Sequence, residues 1–149
     1  MISNHSPHFA IIGAGTAGLA TAILLARQNI QVSILEKASE LEPVGAGLLL
    51  QPSGLAVFEH LGLLDEVLRL GAKVTGLKGQ LPSGNLLVNS HYQQAHPDFY
   101  GVGIHRATLC HVLENKCREY SELITWQMNT DIQTLEETSD QVRVLGTKD

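Results

Sequence analysis

Gly13-Ala14-Gly15-Thr16-Ala17-Gly18 stands between a short apolar run, Phe9–Ile12, and an Ala- and Leu-rich stretch, Ala17–Gln28. The spacing G-x-G-x-x-G constrains the fold because each glycine meets a different steric demand. Gly13 permits a tight turn out of a strand, Gly15 lets a pyrophosphate approach the backbone, and Gly18 lets the following helix lie close to that strand. The unpaired N–H groups and dipole of that helix start attract phosphate. Phe9–Ile12 suits a buried parallel strand. Ala17–Gln28 is built of good helix formers, with Arg27 in its last turn and Asn29 as a stop. Ile30–Leu35, β-branched at Val32 and Ile34, completes a strand–helix–strand unit whose right-handed crossover sets the two strands side by side. Glu36 follows Gly18 by eighteen residues, with Lys37 beside it. There a carboxylate can accept hydrogen bonds from a ribose diol. A Gly-rich turn with an exposed glutamate is the plainer alternative. The strand before, the helix after and the acid at the next strand end favour a dinucleotide site over Gly13, Ala14, Gly15, Thr16, Ala17, Gly18, Glu36 and Lys37.

The same region carries eighteen residues without a charge, Phe9 to Ala26, long enough for a membrane-helix candidate. Ala14 and Gly18 even sit four apart, as in helix-dimer motifs. Met1–His8 has no Lys or Arg to lead a secretory signal, and the membrane reading leaves the glycine spacing unexplained. Composition supports a folded domain: 149 residues, 44% hydrophobic and 17% charged. A net charge of -5 argues against binding a nucleic-acid backbone or an anionic membrane. Aromatics at 5% are too few for a stacking platform. Two cysteines make no disulfide scaffold, which points to a reducing, cytoplasmic compartment.

Beyond Leu35 the pattern changes. Glu36–Gly54 is irregular, punctuated by Pro43, Gly45, Gly47 and Pro52. Two short amphipathic helices are predicted over Ser53–Leu61 and Leu63–Leu70, the second stopped by Gly71. Val74–Leu81 and Leu86–Ser90 predict a hairpin around Pro82-Ser83-Gly84-Asn85, and His91–Gly103 reads as loop. A longer helix is expected over Arg106–Tyr120, then a strand at Ile124–Met128 and a second hairpin, Asp131–Glu137 with Gln141–Leu145. Cys110 and Cys117 are seven apart on one helical face and read as core residues. His105 with His111, and His91 with His96, lack the spacing of a metal site, so no metal is expected. His60 reads as surface, and Tyr92 and Tyr100 either border a substrate pocket or simply sit in a loop.

The strand–helix–strand unit admits NAD or FAD, while the carboxylate of Glu36 would repel the 2′-phosphate of NADP. Gly45-Ala46-Gly47-Leu48-Leu49-Leu50-Gln51-Pro52-Ser53-Gly54, followed by Leu61-Gly62-Leu63-Leu64-Asp65-Glu66, resembles the para-hydroxybenzoate hydroxylase-like FAD monooxygenases. Gly103-Ile104-His105-Arg106-Ala107-Thr108-Leu109 resembles that family's H-R-x-x-L segment. With Gly13–Gly18 and Glu36, the motifs occur in the family's order over essentially the whole chain. The resemblance implies an α/β, Rossmann-like FAD-binding fold, a parallel sheet with antiparallel hairpin excursions, truncated relative to the family. It implies one FAD-binding domain over 1–149, with 74–100 an excursion into the start of a substrate-binding sheet. Gly45 and Gly47 would lie along the flavin, Arg106 would contact FAD near its phosphate and ribityl portion, and Glu36 would hold the adenosine ribose.

Arg106 has separate physical support. A cation at a helix N-terminus costs about 0.3–1 kcal/mol, and no Ser, Thr, Asp or Asn precedes it as a cap. A bound anion would offset that cost, although an arginine turned away from the helix end would avoid it.

In the family, NAD(P)H reduces FAD and the reduced flavin uses O2 to hydroxylate an aromatic substrate. Family members are longer, and a D-G segment, of which Asp149 would be the first letter, and a G-D segment lie past this sequence. The expectation is therefore the FAD-binding portion of a flavin monooxygenase, inactive alone, with no residue singled out as catalytic. Two other readings stay open. One is a non-catalytic module that pairs with a second chain or with itself. The other is an NAD-binding oxidoreductase domain.

Overall fold

A computed structural model of the chain describes residues 7–41 and 45–148. The elements run β1 (His8–Ile12), α1 (Thr16–Arg27), β2 (Gln31–Leu35), β3 (Gly47–Leu50), α2 (Pro52–His60), α3 (Leu64–Leu70), β4 (Ala72–Val74) and β5 (Gly76–Gln80). There follow β6 (Leu86–His91), a 3-10 turn at Tyr92–Gln94, β7 (Gly101–His105), α4 (Arg106–Arg118), β8 (Ile124–Gln127), β9 (Thr130–Glu137) and β10 (Val142–Lys148). They divide into two compact units, Met1–Glu42 with Leu113–Asp149, and Pro43–Val112.

The first unit is built on a parallel sheet of order β1-β2-β8. β1 meets β2 in register from His8↔Gln31 to Ile12↔Leu35, and β2 meets β8 from Val32↔Ile124 to Leu35↔Gln127. Val32, Ser33, Ile34 and Leu35 are all buried, as expected for a parallel strand covered on both faces. Helix α1 buries Leu19, Ala22, Ile23 and Ala26, and Asn29 turns the chain at φ 59° into β2. β9 and β10 form an antiparallel hairpin, shifted by a bulge between Leu145 and Gly146.

Cys117 is fully buried, and its thiol donates to the Leu19 carbonyl at 3.5 Å. Burial, aided by the charge of Glu114 and opposed by Arg118, raises its pKa from 9.0 to about 12. The folded state thus holds this proton more tightly than the unfolded state. Its contribution to stability is complete below pH 9.0 and is lost as pH climbs toward about 12. The urea midpoint of the chain is expected to fall more steeply between pH 9 and 10.5 than that of Cys117→Ala. Equal slopes for the two would show that the thiol ionises no later when folded.

The second unit holds an antiparallel sheet of order β3-β7-β4, with Gly47 opposite His105 and Ala72 opposite Gly103. Leu55, Phe58, Leu61, Leu63 and Val67 from the α2–α3 region are buried, as are Val102 and Ile104 of β7. A separate hairpin pairs β5 with β6. Its turn is closed by Leu81 N–H to the Asn85 carbonyl and Gly84 N–H to that of Leu81, both 2.8 Å.

The α/β class, the parallel sheet and the hairpins match the sequence expectation, but several elements differ. The segment 36–54, expected to be irregular, contains β3. Three leucines between glycine and proline carry no alternation, and β3 exists by pairing with β7, far along the chain. The segment 91–103, expected to be a loop, contains the 3-10 turn and the start of β7. Gly101 and Gly103 mask that strand, yet a Cβ on Gly101 would lie 2.8 Å from Tyr92 Oη and 3.0 Å from the Leu50 carbonyl oxygen. The single strand expected over 74–81 divides at Thr75, because β4 pairs with β7 and β5 with β6. The last helix ends at Arg118. Pro43 and Asp149 lie outside the described residues. Among the described residues no helix is long and apolar enough to cross a membrane.

Candidate functional site

In the first unit the chain leaves β1 through Gly13, whose φ of 95° is open to glycine and strained for any L side chain. Gly13 N–H donates to the Leu35 carbonyl at 2.8 Å, holding the turn against the end of β2. Helix α1 then starts with Gly15 at its N-cap, with no side-chain cap and no acid in the first turn. A Cβ placed on Gly13 or Gly15 would meet nothing within 4 Å. The loop therefore faces open space with an uncapped helix start beneath it, which suits an anion. A Cβ on Gly18 would collide with the Gly13 carbonyl oxygen and approach Ile11 Cγ2 at 3.2 Å. The close helix–strand approach expected from the motif is present.

Glu36 is fixed on every side. Its N–H donates to the Gln127 carbonyl and its own carbonyl accepts from Thr130 N–H, both at 2.9 Å. Oε2 accepts from Ala14 N–H at 2.7 Å, and Oε1 accepts from Ala38 N–H at 3.0 Å. The acid is thus tied to the glycine loop itself, a contact the sequence does not announce. Each carboxylate oxygen keeps a further lone pair that can accept another hydrogen bond. Ala14, buried, spends its N–H on this carboxylate, which leaves Gly15, Thr16, Ala17 and Gly18 to present N–H groups at the helix start. Lys37 is exposed at the end of β2.

In the second unit, Gly45 adopts φ 129°, and a Cβ there would lie 3.2 Å from Arg106 Cδ and 3.7 Å from Nε. The arginine side chain thus runs over the glycine, and Arg106 N–H reaches the Ala46 carbonyl at 3.4 Å. Gly47 opens β3 opposite His105, again with open space where a Cβ would stand. So Gly45, Gly47 and Arg106, distant in sequence, are brought together. Arg106 is the exposed first residue of α4, and among the described residues no carboxylate pairs with it. The helix is not uncapped, however: His105 Nδ1 accepts Ala107 N–H at 3.3 Å. Histidine caps here through the same acceptor geometry as Ser, Thr, Asp or Asn, none of which precedes the helix.

Tyr92 Oη donates to Gln51 Oε1 at 2.9 Å, and Lys73 Nζ stands 4.1 Å from the Tyr100 ring centroid, so both tyrosines have partners within their unit. Among the described residues, no group of three or more His, Cys, Asp or Glu is placed to hold a metal ion.

The family described as FAD binding domain matches residues 8–147. The 3-hydroxybenzoate 6-hydroxylase of Klebsiella oxytoca is 32% identical over 143 residues, covering 93% of this chain and 36% of its own length. The phenazine 1,6-dicarboxylic acid hydroxylase PhzS of Lysobacter antibioticus is 33% identical over 136 residues, 90% of this chain and 33% of its own. Among solved structures, p-nitrophenol 4-monooxygenase PnpA of Pseudomonas putida DLL-E4 superposes with a TM-score of 0.85 over 96% of this chain and 36% of its own, at 18% identity. PqsL of P. aeruginosa, in complex with 2-aminobenzoylacetate, gives 0.81 at 27% identity over 95% of this chain and 39% of its own. The chain thus spans little more than a third of the length of these proteins.

Proposed function

Since this chain belongs to the FAD-binding domain family of the aromatic flavin monooxygenases, we propose that it serves as the FAD-binding portion of such an enzyme. In this reading the complete enzyme hydroxylates a small aromatic or related substrate with NAD(P)H and O2, in a reducing cytoplasmic compartment. The first unit holds the adenosine diphosphate portion, with Gly15–Gly18 donating N–H groups to pyrophosphate and Glu36 accepting from the ribose. In the second unit Gly45 and Gly47 let a planar ring approach the backbone, and Arg106 supplies a positive charge. Residues 74–100 begin the sheet that meets the substrate. Bound FAD would supply the redox chemistry. This chain's residues bind and orient it, and the chain alone is not expected to turn over.

The observation that carries the reading is the glycine loop: an uncapped helix start under open space, with Glu36 locked to Ala14 at the neighbouring strand end. Titration of the purified chain should show FAD binding more tightly than FMN, which lacks the adenosine portion, and than NAD. Arg106→Ala should weaken FAD by about tenfold to a hundredfold, the worth of a hydrogen bond to a charged group. Its melting temperature should stay unchanged, because the side chain is exposed. NAD binding without FAD binding, indifferent to Arg106, would instead establish an NAD-dependent oxidoreductase domain.

A further inference from the structure

His91, His96 and His105, all in the second unit, accept hydrogen bonds from backbone N–H groups. Their surroundings differ. His96 Nδ1 accepts Asp98 N–H at 3.3 Å, with Asp98 Oδ2 3.8 Å away, a charge that would repel an anion. His91 accepts from Gln94 N–H, and its Nδ1 would lie 2.8 Å from a Cβ on Gly76, so it packs against the neighbouring strand. His105 has neither an acid nor a strand against it. It ends β7 directly opposite Gly47 in β3, so both residues face the same side of the sheet. A Cβ on Gly47 would meet nothing within 4 Å, and His105 is exposed. Its imidazole therefore borders open space.

The helix cap decides what that imidazole offers. Nδ1 accepts Ala107 N–H at 3.3 Å, so in the neutral ring the proton sits on Nε2. Among the described residues nothing accepts from Nε2–H. Arg106, the next residue, lays its side chain over Gly45, where a Cβ would lie 3.2 Å from Cδ. A cation and a neutral donor from adjacent residues thus flank the Gly45–Gly47 segment, one at each glycine. Capping alone does not call for histidine, since Asn, Asp and Ser are the preferred caps. What the imidazole adds to a cap is a second nitrogen, farther out, with a proton on it.

We propose that His105 is a further flavin-binding residue, whose Nε2–H donates to an oxygen of the FMN half of FAD beside the charge of Arg106. The assignment rests on the proposed function, in which that half lies over Gly45 and Gly47. One side chain then has two tasks. Its inner nitrogen holds the start of α4, and the same bond turns its outer nitrogen into a donor of fixed direction.

Two substitutions divide the imidazole between its tasks. His105→Asn keeps an acceptor where Nδ1 stands and deletes Nε2–H. His105→Gln keeps an N–H where Nε2 stands and deletes the cap. In fluorescence titrations of the purified chain, His105→Asn should weaken FAD and FMN by about twofold to tenfold for a neutral acceptor, and more for a phosphate oxygen. Its melting temperature without ligand should match wild type. His105→Gln should melt a few degrees lower, having lost the cap, yet bind FAD more tightly than His105→Asn does. Riboflavin separates the acceptors: an oxygen on the phosphate leaves its binding unchanged in His105→Asn, and one on the ring or ribityl chain does not. ADP, which lacks the flavin half, should bind wild type and both variants alike. Equal weakening of ADP would overturn the proposal, because the effect would not be confined to the flavin half. Nitrogen NMR of the ligand-free chain reads the tautomer without any cofactor, and a proton on Nδ1 would overturn it too. If His105→Asn binds FAD and FMN as wild type does, while Arg106→Ala still weakens them, the donor is rejected and the proposed function stands. A wild-type chain that binds no FAD would reject both.

Discussion

Gly18→Ala is expected to abolish measurable flavin binding and to destabilise the chain before any ligand is added. Inside an exposed helix the same change normally stabilises, by about 0.4–1 kcal/mol, because alanine leaves less backbone freedom to lose. Here the new Cβ would run into the Gly13 carbonyl oxygen, with Ile11 Cγ2 at 3.2 Å behind it. The obstacle is backbone, held by the Gly13 bond to Leu35, so no side chain can swing aside. Overpacking of this kind costs about 1–3 kcal/mol, which exceeds the propensity gain and reverses its sign. Relief requires α1 to lift from β1, and that moves the N–H groups that the proposed function assigns to pyrophosphate. FAD affinity should fall by roughly a hundredfold or more, since misplacing several charge-assisted bonds at about 1.5–3 kcal/mol each is enough. Gly15→Ala is the control that separates the two effects. Gly15 has φ -74° and open space at its Cβ, so its melting temperature should hold while FAD binding weakens. Thermal melts without ligand and FAD fluorescence titrations read both. A Gly18→Ala chain that melts normally would show that helix and strand are not in the close contact described.

The contrast between these glycines marks what the sequence could and could not disclose. β1, the glycine turn, α1 and β2 are legible because every signal is local: an apolar run, three spaced glycines, good helix formers, an asparagine stop. The role of Gly18 follows from the same few residues. β3 and β7 are another matter. Gly47 pairs with His105 and Leu50 with Val102, and neither segment alone has the alternation of a strand. Of their glycines, which argue for turns in a local reading, Gly101 is there because Tyr92, Leu49 and the Leu50 carbonyl leave no room for a side chain at that position. Arg106 stands out in the sequence through a family motif, but only the fold lays its side chain over Gly45. The cap on α4 is not legible in the sequence, because histidine is not among the residue types that usually mark a helix start. The second task of Glu36 was hidden for a subtler reason. Ala14 N–H points at the carboxylate because Gly13 turns the chain at φ 95°, and no residue type records the direction of a backbone donor.

That second task leads to the other large expected effect. If Glu36 only held a ribose, replacing it would weaken FAD and leave the free chain untouched. The structure requires more, because Oε2 is the acceptor of Ala14 N–H, and Ala14 is 4% exposed. Glu36→Ala strands that donor away from water, at about 1–3 kcal/mol. For a chain of this size the loss lowers the melting temperature by roughly 3–9 °C. Ala38 N–H, on the exposed side, is left to water and adds little. Glu36→Gln separates the roles further. Its single amide oxygen can still accept from Ala14, so the free chain should keep most of its stability. The amide has lost the charge that strengthens a ribose hydrogen bond, so FAD should bind about tenfold or more weakly. The order of melting temperatures without ligand should therefore be wild type, Glu36→Gln, then Glu36→Ala, with Glu36→Gln close to wild type. Both variants should bind FAD poorly. Identical melting of all three, with only FAD affinity changed, would mean that Ala14 finds another acceptor and that the glycine loop keeps its shape without the acid. The observed order would mean that one carboxylate shapes the phosphate loop and meets the ribose. A mutation there then lowers FAD affinity twice, once through the lost contact and once through a loop no longer held in place.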